Sequence, residues 1–190
     1  PTSYTAGAAA LRPNHLWMFD EGSGTTLTDI GSTGGKDLTI VGADWVADDP
    51  THATVLDFVE ANSDYAHITE TGSEPVMGIT ASFTVAVLLK TTEVTEDLVG
   101  LCDASGLDSY FQGGADAGGD MRWSVRDDGG IATTTDNAGI VINDDAYRWV
   151  VWTFGNSAQS GSRDGANHGT ATLTGNVGSV NNQAAIDRFG

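Results

Sequence analysis

The feature that most limits how this chain can fold is a succession of short β-branched and aromatic runs. They recur at intervals of about 8–12 residues and are separated by Gly, Asp and Ser. Two runs dominate. Phe83-Thr84-Val85-Ala86-Val87-Leu88-Leu89 is apolar almost throughout, which predicts a central strand covered on both faces. Arg148-Trp149-Val150-Val151-Trp152-Thr153-Phe154 places Trp149, Val151 and Thr153 on one face and Val150, Trp152 and Phe154 on the other. His15-Leu16-Trp17-Met18-Phe19-Asp20 reads as the opening strand, followed by Asp37–Val41 and Ala43–Val46. Val55–Phe58 and Tyr65–Ile68 read as a hairpin around Glu60–Asp64. Leu98–Cys102, Ser109–Gln112, Met121–Val125 and Ile140–Ile142 are further strands. No apolar stripe of helical period competes with them. The pattern predicts an all-β chain folded as a two-sheet antiparallel β-sandwich. The 190 residues suit one domain, expected over 15–190, and the 25 glycines suit its turns. Residues 1–14, small and polar, read as an extended arm or linker.

Eight basic residues against 26 acidic ones give a formal charge of −18. Lys36 and Lys90 are the only lysines; the other cations are Arg12, Arg122, Arg126, Arg148, Arg163 and Arg188. A surface this negative repels phosphate backbones and anionic lipid headgroups, which argues against nucleic acid and membranes as partners. The same charge suits saline surroundings, divalent cations or simple solubility. No run approaches the ~18 apolar residues of a membrane span, and no signal peptide is visible. Pro1 fits removal of an initiator Met and fits a processed start equally well. The single Cys102 excludes an intrachain disulfide, so the core must hold the fold.

The order of segments resembles the laminin-G-like and concanavalin-A-like jelly rolls. Leu16-Trp17-Met18-Phe19-Asp20-Glu21-Gly22-Ser23-Gly24-Thr25 is similar to the opening strand and turn of that family. Leu38-Thr39-Ile40, then Leu56-Asp57-Phe58 leading to Asp64-Tyr65-Ala66-His67-Ile68, resembles its next pair of strands. Ser82–Val87, Tyr147–Phe154 and the Asp164-Gly165 turn resemble later ones, although Leu88 stands where an aromatic is usual. The likeness runs from about residue 15 to 190. It implies a jelly-roll sandwich whose last strands, beyond Ile186–Gly190, are missing from this sequence, to be supplied by a continuing chain or by a partner.

Catalysis finds little support. Glycosidases of this fold need carboxylates alternating on one strand, yet no Glu-x-Asp-x-x-Glu pattern occurs and the two strongest strands carry no acid. Asp127 and Asp128 are adjacent and would point to opposite faces. His15, His52, His67 and His168 lie in no nucleophile-elbow context, and Cys102 reads as a buried thiol. No Cys/His spacing suits zinc. Calcium is the metal with a case, because it takes carboxylate, amide and loop carbonyl oxygens. Asn62 and Asp64 are the candidate ligands, on a hairpin that related laminin-G domains use. Asp20-Glu21, Asp116 with Asp120, and Asp144-Asp145 are further acidic loops; the competing reading makes all of these turn residues. For sugar stacking the candidates are Tyr65, Tyr110, Trp123 and Tyr147, with rim packing as the alternative. Trp17, Trp149 and Trp152 are expected in the core.

The functional expectation is a non-enzymatic structural or recognition module of a virion or other extracellular surface assembly. Its partners would be protein neighbours in an oligomer or virus-like particle, and glycans or a surface receptor. The alternative is a secreted calcium-dependent lectin-like domain. A glycoside hydrolase, or an accessory domain of one, is the third reading.

Overall fold

The computed structural model describes residues 13–47, 54–69, 82–94, 97–103, 109–126, 132–155, 158–172 and 185–189, apart from some strand side chains. The chain forms two compact units, residues 1–68 with 188–190 and residues 69–187. Among the described residues the regular structure is strand, with a single 3-10 turn at Glu60–Asn62. The all-β fold expected from the sequence is what the chain adopts.

In the first unit, β1 (Thr26–Leu27), β2 (Leu38–Val41) and β5 (Tyr65–Thr69) pair antiparallel in that order, while β3 (Asp44–Ala47) pairs with β4 (Thr54–Asp57). Strand β2 alternates as its sequence demands, with Leu38 and Ile40 buried and Thr39 and Val41 outside. Leu27, Ala66 and Ile68 complete that core. The expected hairpin of Val55–Phe58 with Tyr65–Ile68 does not form. Ser63 turns left-handed (φ 57°) after the 3-10 turn, and Asp64 Oδ2 accepts the Val59 N–H at 3.0 Å. The chain is thereby redirected, and β5 pairs with β2 instead.

Nor is His15–Asp20 a strand. A buried carboxylate organises this segment. Asp29 accepts His15 Nδ1–H at 2.7 Å and the backbone N–H groups of Leu16, Gly31 and Lys36 at 3.0, 2.9 and 3.2 Å. The Ile30 N–H donates to the Leu16 carbonyl, so residues 14–17 lie along the 29–36 loop without joining a ladder. Trp17 stacks on His15 and donates its Nε1–H to the Lys36 carbonyl at 2.8 Å.

The second unit is a sandwich in its own right. The strands β7 (Asp97–Asp103), β8 (Ser109–Ala115), β9 (Asp120–Arg126) and β10 (Ala132–Val141) form an antiparallel meander. A second, four-stranded sheet has the order β13-β12-β11-β6, made of β6 (Ser82–Leu89), β11 (Arg148–Gly155), β12 (Ala158–Arg163) and β13 (Ala166–Thr172). A last strand, β14 (Ala185–Phe189), follows. Strand β6 is therefore at the edge of its sheet and not central. Its solvent side carries exposed Thr84 and Ala86, and only its other side faces the core.

Aromatic rings fill the space between these two sheets. Phe83 stacks on Phe154 at 4.5 Å, and Phe111 meets Phe83, Phe154 and Trp152 edge-on at 5.8, 5.2 and 5.7 Å. Rings this large fit only where the opposite backbone has no side chain. A Cβ at Gly113 would lie 2.8 Å from the Trp152 ring, and one at Gly161 would lie 2.6 Å from both Met121 and the Trp123 ring. Trp123 Nε1–H donates to buried Gln159 Oε1 at 2.7 Å, a polar link across the core that satisfies the indole N–H.

Two predictions follow from these contacts. Gly161→Ala should lower the unfolding free energy by about 1–3 kcal/mol, read by urea denaturation, because the Trp123 indole cannot flex away as the Met121 end can. For Asp29, burial pushes the carboxyl up, but the hydrogen bonds from His15, Leu16, Gly31 and Lys36 outweigh it and hold it below the ordinary 3.8. The resulting stability is complete above 3.8 and is lost as pH falls through the lower folded value. Asp29→Asn should cost about 1–3 kcal/mol near neutral pH by leaving donors unpaired, and should flatten the acid limb of the melting curve.

Candidate functional site

Antiparallel neighbours share a face, so the register of the smaller sheet assigns its outer surface directly. Leu88 is opposite Trp149, Ala86 opposite Val151, and Thr84 opposite Thr153. On the other flank, Ser162 is opposite Val151 and Ser160 opposite Thr153. Intervening residues Val150, Trp152, Phe154, Gln159 and Gly161 are buried on the inner side. The outer surface of β6, β11 and β12 is thus a shallow field of hydroxyls and small apolar groups. Thr84 and Thr153 join their Oγ1 atoms across it at 3.4 Å. Of these eight side chains none is ionisable, in a chain of formal charge −18.

Trp149 is the large group on this field and is 37% exposed. It was expected in the core; the strand alternation was right, but its side of the sheet faces water. Its backbone is fixed at both polar atoms by one residue. Asp164 Oδ1 accepts the Trp149 N–H at 3.0 Å, and the Asp164 N–H donates to the Trp149 carbonyl at 2.8 Å. Asp164 and Gly165 both have positive φ, 52° and 80°, which is the tight hairpin turn the Asp-Gly pair favours. Arg148 then spans two acids: Nη1–H donates to Asp164 Oδ2 at 2.9 Å, and Nε–H and Nη2–H donate to the two oxygens of Asp144. Its guanidinium holds the Asp144 carboxyl below the usual carboxylate range. Arg163 donates to the Val141 carbonyl. The sheet's cationic rim is thereby committed to its own acids and carbonyls.

At the adjoining crossover, Asp145 N–H donates to the Thr91 carbonyl at 3.2 Å, and Lys90 lies 3.6 Å from Asp145 and 5.8 Å over the Tyr147 ring. That is where the structure places Tyr147, half-buried beneath a lysine. Tyr65 is half-buried on β5 against His67, at 5.2 Å between ring centroids. Trp123 is corrected: it is fully buried, hydrogen-bonded to Gln159, and offers no open ring face. Tyr110 is in β8 and its side chain lies outside the described residues. The four stacking candidates are therefore not gathered into one site, and the exposed indole is Trp149.

Of the calcium candidates, Asn62 is exposed and Asp64 is buried, with Oδ2 on Val59 and Oδ1 over Gly42 without a hydrogen bond among the described residues. Several of the other acids named in the sequence are engaged locally. Asp116 Oδ1 accepts the Gly118 and Asp120 N–H groups, and Glu21 Oε1 accepts that of Thr28. Among the described residues no group of three or more His, Cys, Asp or Glu is placed to hold a metal. Likewise, no helix among them is long and apolar enough to cross a membrane.

These features define an all-β sandwich in which the described outer side chains of β6, β11 and β12 are uncharged. No family model matches the chain, and no curated protein matches it. Solved structures do. The chain is similar in fold to the binding domain of Paraclostridial Mosquitocidal Protein 1, with a TM-score of 0.62 at 10% identity over 88% of this chain and 45% of that one. It is also similar to the botulinum neurotoxin serotype D binding domain, with a TM-score of 0.50 at 7% identity over 92% of this chain and 46% of that one. The chain spans under half the length of either domain. Identities this low show a shared sandwich; the laminin-G and concanavalin-A motifs stay a resemblance.

The Asp164 clamp is open to test. Asp164→Asn tolerates the left-handed turn and should cost under about 1 kcal/mol, whereas Asp164→Ala should cost about 1–2 kcal/mol from the backbone conformation, before any loss of the Trp149 bond, in thermal melts.

Proposed function

We propose that this chain is a non-catalytic recognition module that meets its partner through the outer face of the β6–β11–β12 sheet. The observation that carries the reading is that face itself: a clamped, exposed Trp149 on a field without charge, in a protein of formal charge −18. A surface that needed only solubility would carry acids there, as the chain does at exposed Asp44, Asp57 and Glu60. The likeness in fold to two domains described as binding domains supports the same class of function. A place in a larger surface assembly, such as a virion coat, is the finer form of the proposal, with this face left open to the partner. A strictly monomeric, fully folded chain in sedimentation would count against that finer form.

The contact face is tested by placing a charge in its middle. Labelled protein is applied to intact cells, immobilised proteins and neutral polysaccharides. Ala86→Arg should weaken retention about tenfold or more on whichever support holds the native protein, equivalent to about 1.4 kcal/mol. Val94→Arg, on an exposed loop outside the field, should leave it unchanged. Equal retention of native and Ala86→Arg protein, or retention by none of these supports, overturns the reading.

A further inference from the structure

We infer that the outer face of this sheet is a platform for neutral carbohydrate, with Trp149 as the stacking residue and the hydroxyls of Thr84, Thr153 and Ser160 as the polar row. The inference rests on that face being the module's contact surface. Its chemistry then selects the occupant. A sugar ring presents an apolar C–H face to an indole and a rim of hydroxyls to Ser and Thr, and this field offers both kinds of contact. Thr84, Thr153 and Ser160 stand in register across three strands, at a spacing of about 4.8 Å between neighbours. Trp149 and Thr153 are four residues apart on β11, about 13 Å at a strand rise of ~3.3 Å per residue. The platform is therefore long enough for more than one sugar ring.

Charge excludes the competing occupants. A phosphate, sulfate or carboxylate group would approach an anionic protein at a face that, among the described residues, offers it no uncommitted cation. Arg148 is held by Asp144 and Asp164, and Lys90 is beside Asp145. A second copy of the chain, itself of formal charge −18, would have to approach against the repulsion between the two molecules. A protein partner wants a contiguous apolar and aromatic centre, whereas here one indole is followed by Val151 and then by hydroxyls.

The test is retention of the whole chain on a printed array of neutral, sialylated and sulfated oligosaccharides. Neutral members should retain the native protein. Trp149→Ala should weaken that retention about tenfold or more, and Trp149→Phe should fall between. Thr153→Lys, which keeps the indole, should also reduce it, with far-UV circular dichroism and melting temperature preserved in each variant. Retention confined to anionic members overturns the inference, as does neutral retention that Trp149→Ala and Thr153→Lys leave unmoved. No retention on the array overturns it too. In that case, binding to an immobilised protein that Ala86→Arg abolishes would leave the contact surface standing, and its absence would end both.

Discussion

The second unit depends on how closely two sheets can approach. Gly113 on β8 faces the Trp152 ring and Gly161 on β12 faces Trp123 and Met121, with no room for a Cβ at either point. Large rings seated on bare backbone give the core its density. They also decide what happens outside. Once Val150, Trp152 and Phe154 are committed inward, the pleat of β11 must turn Trp149, Val151 and Thr153 outward. The face proposed for recognition is thus the reverse side of the core's own packing, and a change in one bears on the other.

Polar groups secure what the rings leave unsettled. The Trp123–Gln159 bond fixes the orientation of one of the two buried indoles, at a place where an unpaired N–H would be costly. Trp152 has a buried Nε1–H with no partner among the described residues, so ring packing carries that side chain without help from a hydrogen bond. In the first unit a single carboxylate does comparable work, as Asp29 holds residues 15–17 against the 29–36 loop. At the sheet edge, Asp164 fixes the backbone beneath Trp149 while sharing Arg148 with Asp144. A ring whose backbone is already ordered loses less freedom on meeting a ligand.

Much of the fold was legible because strand signals are local. The runs read at 37–41, 43–46, 65–68, 121–125 and 148–154 form strands to within a residue at each end, and Asp164-Gly165 is the turn its composition announces. What sequence could not say was which side of a strand is covered. Trp149 looked like core because strong strands hold buried aromatics, and Trp123 was a candidate for stacking; Trp149 is the exposed one and Trp123 the buried one. The run of β6 looked central, yet Thr84 and Ala86 are the exposed side of an edge strand. Strands β12 and β13 went unread because Ala-Gln-Ser-Gly-Ser-Arg and Ala-Asn-His-Gly-Thr-Ala-Thr carry few β-branched residues. The His15–Asp20 segment failed differently: its alternation is real, but a distant Asp29 claims its backbone. No local pattern reports a hydrogen bond to a residue 13 positions away.

The proposed function rests on a contrast that the totals conceal. A formal charge of −18 describes the chain, not the β6–β11–β12 surface, where an indole and hydroxyls replace the acids. That contrast turns on one side chain being open to solvent. Hydroxyl-radical footprinting of the free protein, read by mass spectrometry at each tryptophan, measures this openness directly. The account predicts that Trp149 is oxidised far faster than Trp123 and Trp152. Protection of Trp149 equal to theirs would mean that the face is covered, and would contradict its role as the contact surface.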